Sequence, residues 1–493
     1  MKDLSVVILA AGESKRMHSR RPKVLHALCG RPLLAYPLRL ARTLADRIVV
    51  VIGPEREDVR AAVGDDARIV EQRERLGTGH AVLQARAECG EGTILVLAAD
   101  MPLLSAETLE RLLAHHAASG AAATVLTALV ERPHGYGRVL RQGGRVKRIV
   151  EEREATDSEK KVAEINTSVY AFDARRFWPA LAEVKPENDQ GEYYLTDVVG
   201  VLGKKGLRVE ALSVPDPVEA LGVNDRKQLA QVAALQRARI LDRLMADGVT
   251  ILDPASTWID DTVTIGADTV VYPNVLIEGG SAIGAECVIG TGSQVRASRI
   301  ADRVALKPYC VIAEAEVETG AELGPFCHLR PGCRIGEGAK IGNFAELKKS
   351  RVGRGSKVPH VSYVGDTTIG EHVNIGAGTV TCNYDGVRKS ETVIGDGAFV
   401  GTNSSLVAPV VIGDGAYVAA GSVITKDVPA GALAVERNQQ VIKEGWAARR
   451  PKRAHGAAQR PPVEGLGAGG EGGGRSPLPT KGPAAAPPKR GAD

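Results

Sequence analysis

The sequence predicts an α/β chain in three parts: an open sheet, one long helix and a parallel β-helix. Three observations carry this. Short apolar runs alternate with polar, helix-length stretches over the first 225 or so residues, as expected for buried parallel strands joined by crossover helices. From Asp225 to about Met245 the chain has neither Gly nor Pro and is rich in Ala, Leu, Arg and Gln, a composition that favours one continuous helix. From Ile265 to Ile424 an apolar residue returns mostly every six positions. That period fits neither a 3.6-residue helix nor an alternating strand, and is the hexapeptide signature of a solenoid.

The first part contains Val6–Ala10, Ile48–Ile52, Ile94–Ala98 and Ala123–Ala128, read as parallel strands of a Rossmann-like sheet. Arg138–Leu140 and Val146–Val150 flank Gly143-Gly144, the pattern of a hairpin. The domains are set at 1–226, 227–247 for the linker helix, 248–450 for the β-helix and 451–493 for a tail.

In the β-helix the repeat runs Ile265, Val271, Ile277, Ile283, Ile289, Val295. One-residue shortenings lead to Ile300, Leu306, Ile312, and then to Leu323, Leu329, Ile335, Ile341, Leu347. Val358, Val364, Ile369 and Ile375 follow, and the repeat resumes at Ile394, Val400, Leu406, Ile412, Val418 and Ile424. Each apolar residue points into a narrow prism, and three hexapeptides close one coil, giving about nine coils. The hand of the prism, left, is the one this repeat forms. Residues 381–389 break the register and are expected to loop out beside a binding site.

Composition narrows the function classes. No stretch of about 18 apolar residues exists, so no membrane insertion is expected. The apolar run near Met1 is too short for a signal peptide, and a cytoplasmic protein is expected. The seven cysteines include no CxxC pair, so reduced, buried thiols are expected rather than a metal site. Net charge is +4, but nine bases and three acids from Arg449 to Asp493 place +6 on the tail. The part expected to fold therefore has no basic field for nucleic acid. The tail itself, rich in Pro, Gly and Ala, is expected to be disordered.

Leu9, Ala10, Ala11 and Gly12 end the first strand, and Arg16 and Lys23 follow in an R-x5-P-K pattern. Such a turn presents backbone N–H groups to phosphates, and the cations neutralise them. Asp100 follows another apolar strand, at the sheet edge where ligands bind in open α/β folds. In the second half Arg330 and Lys348 stand 18 residues apart, one coil, which suits a phosphate-bearing substrate. His360 is the residue there suited to taking a proton.

With LGTGHA at 76–81, YGR at 136–138, INT at 165–167, GEYYLTD at 191–197 and GVND at 222–225, the chain resembles the bifunctional N-acetylglucosamine-1-phosphate uridyltransferase / glucosamine-1-phosphate acetyltransferase family over residues 1 to about 450. The resemblance implies a nucleotidyltransferase sheet with a Mg²⁺ site at Asp100 and Asn224. It implies phosphate contacts and catalysis by Arg16 and Lys23, and a nucleotide held by Leu9 to Gly12, Gln72, Gly77 and Thr78. Ala98, Ala99, Gly137, Glu151 and Asn166 would complete the UDP-N-acetylglucosamine pocket. It implies His360 as the base of acetyl transfer. Arg330, Lys348, Tyr363, Asn374 and Lys389 would hold glucosamine 1-phosphate; Ala377, Asn383, Tyr384, Thr402, Ala420 and Arg437 would hold acetyl-CoA. A homotrimer is implied as well. The chain departs from the family at Ser14, where a second Gly is usual, and at Ala98-Ala99. A single-activity nucleotidyltransferase with a structural β-helix stays open at this level.

Overall fold

The computed structural model describes residues 3–13 and 15–449. The expected tail, 451–493, and Ser14 lie outside the described residues. Residues Met1–Arg437 form one compact unit and Asn438–Asp493 a second. The described part of the second is exposed chain ending in turns, with Arg449 donating to the Glu444 carbonyl at 3.2 Å.

In chain order the first strands are β1 (Leu4–Ala10), β2 (Ala27–Leu28), β3 (Arg31–Pro32), β4 (Arg47–Ile52), β5 (Arg68–Glu71) and β6 (Thr93–Ala98). Then come β7 (Ala123–Leu129), β8 (Arg138–Gln142), β9 (Arg145–Val150), β10 (Glu164–Asp173) and β11 (Val209–Ser213). All but β2 and β3 form one sheet, whose main path runs β11-β7-β10-β6-β1-β4-β5. The four apolar runs foreseen are β1, β4, β6 and β7, but the sheet is mixed rather than wholly parallel. β10 lies antiparallel between β6 and β7. Its sequence hides this, because polar Asn166-Thr167-Ser168 and a register shift at Asn166/Tyr170 interrupt its apolar pattern. Gly143 and Gly144, at φ 59° and 80°, close the β8–β9 hairpin as a turn with two left-handed residues requires.

The long helix spans Arg226–Ala246, with the Asp225 carboxylate capping it by accepting from Gln228 N. It leads into a prism of three parallel sheets with 11, 10 and 9 strands, called here the first, second and third faces. The solenoid starts before Ile265, at Thr250–Ile251, and ends at Leu433–Ala434. The step from Ile251 to Ile259 is eight residues, which hides this opening coil from a six-residue repeat. A continuous column of Ile, Val and Leu from Ile251 to Val428 fills the interior. Every one-residue shortening, at Val295–Ile300, Ile312–Val317, Leu347–Val352 and Val364–Ile369, falls on the corner from the second to the third face. The nine-residue excursion, 383–391, falls there too. It begins only after Cys382: Thr381, expected to loop out, stays inside the ladder because its Oγ1 accepts from Gly365 N at 2.8 Å.

Candidate active sites

β1 and β6 are adjacent and parallel, with Leu9 opposite Ala98. From β1 the sheet continues through β4 to β5 on one side and through β6 on the other, so a crevice opens at their C-terminal ends. Leu9 to Gly12 form one lip, and Ala98, Ala99 and Asp100 the other; Ala99 N donates to Leu9 O at 3.1 Å. Four of the expected residues meet there. Lys23 Nζ donates to Asp100 Oδ2 at 2.5 Å and to Asn224 Oδ1 at 3.2 Å, and Arg16 donates to the same Asn224 oxygen at 3.0 Å. Asn224 is brought in by the chain that caps the long helix, as Asn224 N donates to Gln228 Oε1 at 2.7 Å.

Two sequence motifs turn out to be one unit. Gly79 N donates to Tyr193 O, and Tyr193 N to Leu76 O, both at 2.7 Å. A Cβ on Gly77, which sits at φ 103°, would lie 2.7 Å from the Tyr193 carbonyl, so this close approach requires glycine. Gln72 is buried, with its amide donating to Gly77 O at 2.9 Å and contacting His80 Nδ1 at 3.2 Å. Thr78 Oγ1 accepts from Leu195 N at 3.0 Å, so in this structure it ties the same two motifs together.

Beyond the crevice, Asn166 N donates to Gly137 O at 2.9 Å, and Asn166 Nδ2 reaches the Tyr170 hydroxyl at 2.7 Å. Glu151 accepts from Thr196 Oγ1 at 3.2 Å. Burial pushes the Glu151 carboxyl up, Asp197 adds to this and the Thr196 bond opposes it. Buried Arg138 holds the Tyr136–Gly137 turn from behind, pairing with Glu152 at 2.7 Å and donating to Lys160 O at 3.2 Å. Tyr136 and Thr196, which stand in the YGR and GEYYLTD motifs without a role of their own assigned from sequence, belong to this group of residues. The phenol of Tyr136 is pushed up by burial, against a hydrogen bond from the Gly222 backbone, and lies near Asp100.

The prism carries two clusters at two corners. On the corner between first and second faces, strand register stacks Asn343, His360, Ala377, Thr402 and Ala420 in one column. Three expected acetyl-CoA residues thus continue upward from His360 in a column of small side chains. Arg437 reaches the top of it beside Gly421. Next to this column stand exposed Tyr309, Phe326 and Phe344, stacked with centroids 5.2 Å apart.

The other corner, from second to third face, gathers charge. Arg330 and Lys348 follow Leu329 and Leu347, which pair in adjacent coils. Arg330 is engaged by Glu346 at 3.0 Å, and Lys348 Nζ lies 3.9 Å from Asp366. Asn383 donates to the same Asp366 carboxylate at 2.5 Å. The excursion folds back as a hairpin with Tyr384 bridging Lys389. Lys389 comes to rest against Lys348, whose hydrogen bond and charge pull its ammonium down. Gly365 lies at the centre. A Cβ there would come within 2.6 Å of the Tyr363 hydroxyl and 2.7 Å of Asn383 Nδ2. Asn374 does not join this cluster: it projects from the first face, next to inward-pointing Ile375. Asp366 and Asn343 escaped sequence reading, although Asp366 stands 17 residues from Asn383 and Asn343 17 from His360, the short coil spacing.

Among the described residues no group of three His, Cys, Asp or Glu side chains is placed to hold a metal. Asp100 and Asn224 nevertheless aim oxygens at a common cation, the Lys23 ammonium. That donor set fits a hard divalent ion whose other ligands come from phosphates and water. No helix among the described residues is long and apolar enough to cross a membrane.

A crevice lined by Arg16, Lys23, Asp100 and Asn224 at an α/β switch point, on the same chain as a hexapeptide prism with its own cationic corner, makes this a two-site group-transfer enzyme. The MobA-like NTP transferase domain matches residues 6–205, and the bacterial transferase hexapeptide model matches 314–349 and 391–426. With the three parallel faces, the latter makes the prism a left-handed β-helix. "Bifunctional protein GlmU" of Brevibacillus brevis is 48% identical over 457 residues, covering 92% of this chain and 99% of that protein. That of Heliobacterium modesticaldum is 47% identical with the same coverage, and that of Pelotomaculum thermopropionicum is 51% identical over 452 residues, 91% of this chain and 99% of its own. The chain belongs to the bifunctional GlmU family.

Proposed function

We propose that the enzyme makes UDP-N-acetylglucosamine in two steps, for cell-wall and surface-polysaccharide synthesis in the cytoplasm. The prism acetylates glucosamine 1-phosphate with acetyl-CoA, and the sheet joins the product to UTP with release of pyrophosphate. One observation carries this reading: each half of a single chain gathers two cations beside a carboxylate, Lys23 on Asp100 with Arg16 on the adjoining Asn224, and Lys348 facing Asp366 with Lys389 against Lys348.

In the sheet, Leu9 to Gly12 offer backbone to the triphosphate, Arg16 and Lys23 neutralise it, and the Glu151–Asn166 pocket orients the sugar. Its phosphate oxygen then attacks the α-phosphorus in line. Positioning and charge neutralisation suffice, with no covalent protein nucleophile. Asp100 and Asn224 would hold Mg²⁺, which when bound withdraws charge from the phosphates.

In the prism, Arg330, Lys348 and Lys389 grip the sugar phosphate and Tyr363 lies alongside. His360 takes a proton from the amine as its nitrogen bonds to the thioester carbon. The C–S bond breaks, and the CoA thiolate leaves and receives a proton. Asn374 and Lys348 are separated by a corner and a whole face, too far apart for one small sugar phosphate. Their joint role supports a site shared between copies of the chain, in a homotrimer. The functional division falls at residues 1–226, 227–247 and 248–450.

Purified chain is incubated with glucosamine 1-phosphate, acetyl-CoA, UTP and Mg²⁺, and products are followed by mass spectrometry. UDP-N-acetylglucosamine forms only with all four. Asp100→Ala stops at N-acetylglucosamine 1-phosphate, and His360→Ala needs that intermediate supplied. A wild-type chain that requires N-acetylglucosamine 1-phosphate ready-made is a single-activity enzyme with a structural prism.

A further inference from the structure

His360 ends the strand Lys357–His360, and Asn343 ends the strand Lys340–Asn343. The two strands pair in register with Asn343 opposite His360. Their side chains meet, with His360 Nδ1 2.9 Å from Asn343 Oδ1. A carbonyl oxygen has no proton to give, so Nδ1 bears the N–H and the lone pair is left on Nε2. The backbone on either side is also tied: Val361 N donates to Asn343 O at 3.0 Å, and Ser362 Oγ to His360 O at 2.8 Å.

Among the described residues no charged side chain pairs with the ring. Directly above it in the column stands Ala377, and the residues following Asn343 and His360 are Phe344 and Val361. The titratable groups on the strands packed around it are Lys340 and Lys357 on the first face and Glu346, Lys348 and Tyr363 on the second, Lys348 lying at the far corner 3.9 Å from Asp366. Lys340 is taken by Glu322 at 2.8 Å and Glu346 by Arg330 at 3.0 Å. Among the described residues, histidine ion pairs are those of His115 and His134; His360 has none.

We propose that Asn343 is a positioning residue for acetyl transfer, holding the His360 imidazole as the Nδ1–H tautomer with Nε2 turned toward the substrate amine. This rests on the reading of His360 as the base. Oriented bases elsewhere depend on such a partner for tautomer and aim.

The test is acetyl transfer by the full-length chain across pH, for Asn343→Leu, Asn343→Asp and His360→Ala. Uridylyl transfer by the same samples reports folding, since Asn343 is remote from that site. Asn343→Leu should lower kcat about 10- to 100-fold, with KM for both substrates changed less than about 3-fold. Asn343→Asp keeps an acceptor of nearly the same shape. It should retain most of kcat at high pH, with the ascending limb of kcat/KM moved up by about one pH unit, because a carboxylate beside the ring favours its protonated form. A merely structural role lowers both variants alike and leaves the limb in place. Asn343→Leu at wild-type kcat, or Asn343→Asp with an unmoved limb, sinks the proposal while leaving His360 as base. Retained acetyl transfer in His360→Ala removes the base itself, and the proposal with it.

Discussion

Glu151 sits where burial raises its carboxyl, and Thr196 only partly offsets that. An acid raised in the fold binds its proton more readily folded than unfolded. Its stability contribution is therefore greatest at low pH and falls as pH rises through the raised folded value. Glu151→Gln removes the ionisation and keeps the shape. Its melting temperature should exceed that of wild type at pH 8, the gap should narrow at pH 5, and uridylyl transfer should weaken through a higher KM for the sugar phosphate. Equal melting curves at both pH values would mean that Glu151 is already relaxed by solvent. Gly365 gives a second residue-scale expectation. A methyl there would push aside the Tyr363 hydroxyl and Asn383 amide, 2.6 and 2.7 Å away. Gly365→Ala should raise KM for glucosamine 1-phosphate about tenfold, roughly the loss of one charge-assisted contact, and leave uridylyl transfer unchanged.

At the scale of elements, Asp261 joins three of them. Its side chain is 2% exposed and meets Arg31 at 2.6 Å, Arg39 at 2.8 Å and Arg243 of the long helix at 3.6 Å. Burial alone would raise its carboxyl, but the bonds and charges of Arg31 and Arg39 prevail and hold it low. A depressed acid stabilises the fold above its unfolded value, and this is lost as pH falls through the folded one. Asp261→Asn should cost about 2–3 kcal/mol at pH 7, the scale of hydrogen bonds to charged groups, and progressively less in acid. Denaturant unfolding at several pH values checks this. The same scale separates what was legible from what was not. Ile265 to Ile424 announced the prism because one inward residue per face recurs strictly. β10 was hidden because it is half polar and runs against its neighbours. The contacts of Asn343 with His360 and of Asp366 with Asn383 were hidden for another reason. They depend on coils of 17 residues; the shortenings themselves stand in the repeat, but which corner they fall on, and so which side chains they bring into register, shows only once the faces are assigned.

At the scale of the whole molecule, the two cationic clusters differ in completeness. The crevice of the sheet is closed by one chain, since Arg16, Lys23, Asp100 and Asn224 are already in contact. The prism splits its residues. Asn374 belongs to the first face, while Lys348, Tyr363 and Lys389 gather at the far side of the second. If both sets hold one glucosamine 1-phosphate, a neighbouring copy must bring its cationic corner to the first face of this one, as a closed ring of identical prisms would. Mixing two damaged chains tests this. Lys348→Ala removes the phosphate contact from one, and Asn374→Trp fills the substrate's place with an indole in the other. Each alone should acetylate poorly while transferring uridylyl groups normally. Co-refolded in equal amounts, random pairing leaves about a quarter of the shared sites with both native halves, so acetyl transfer should recover to about that fraction of wild type. Activity that stays at the mean of the two parents would mean that each prism binds its substrate alone, and that Asn374 has no part in it.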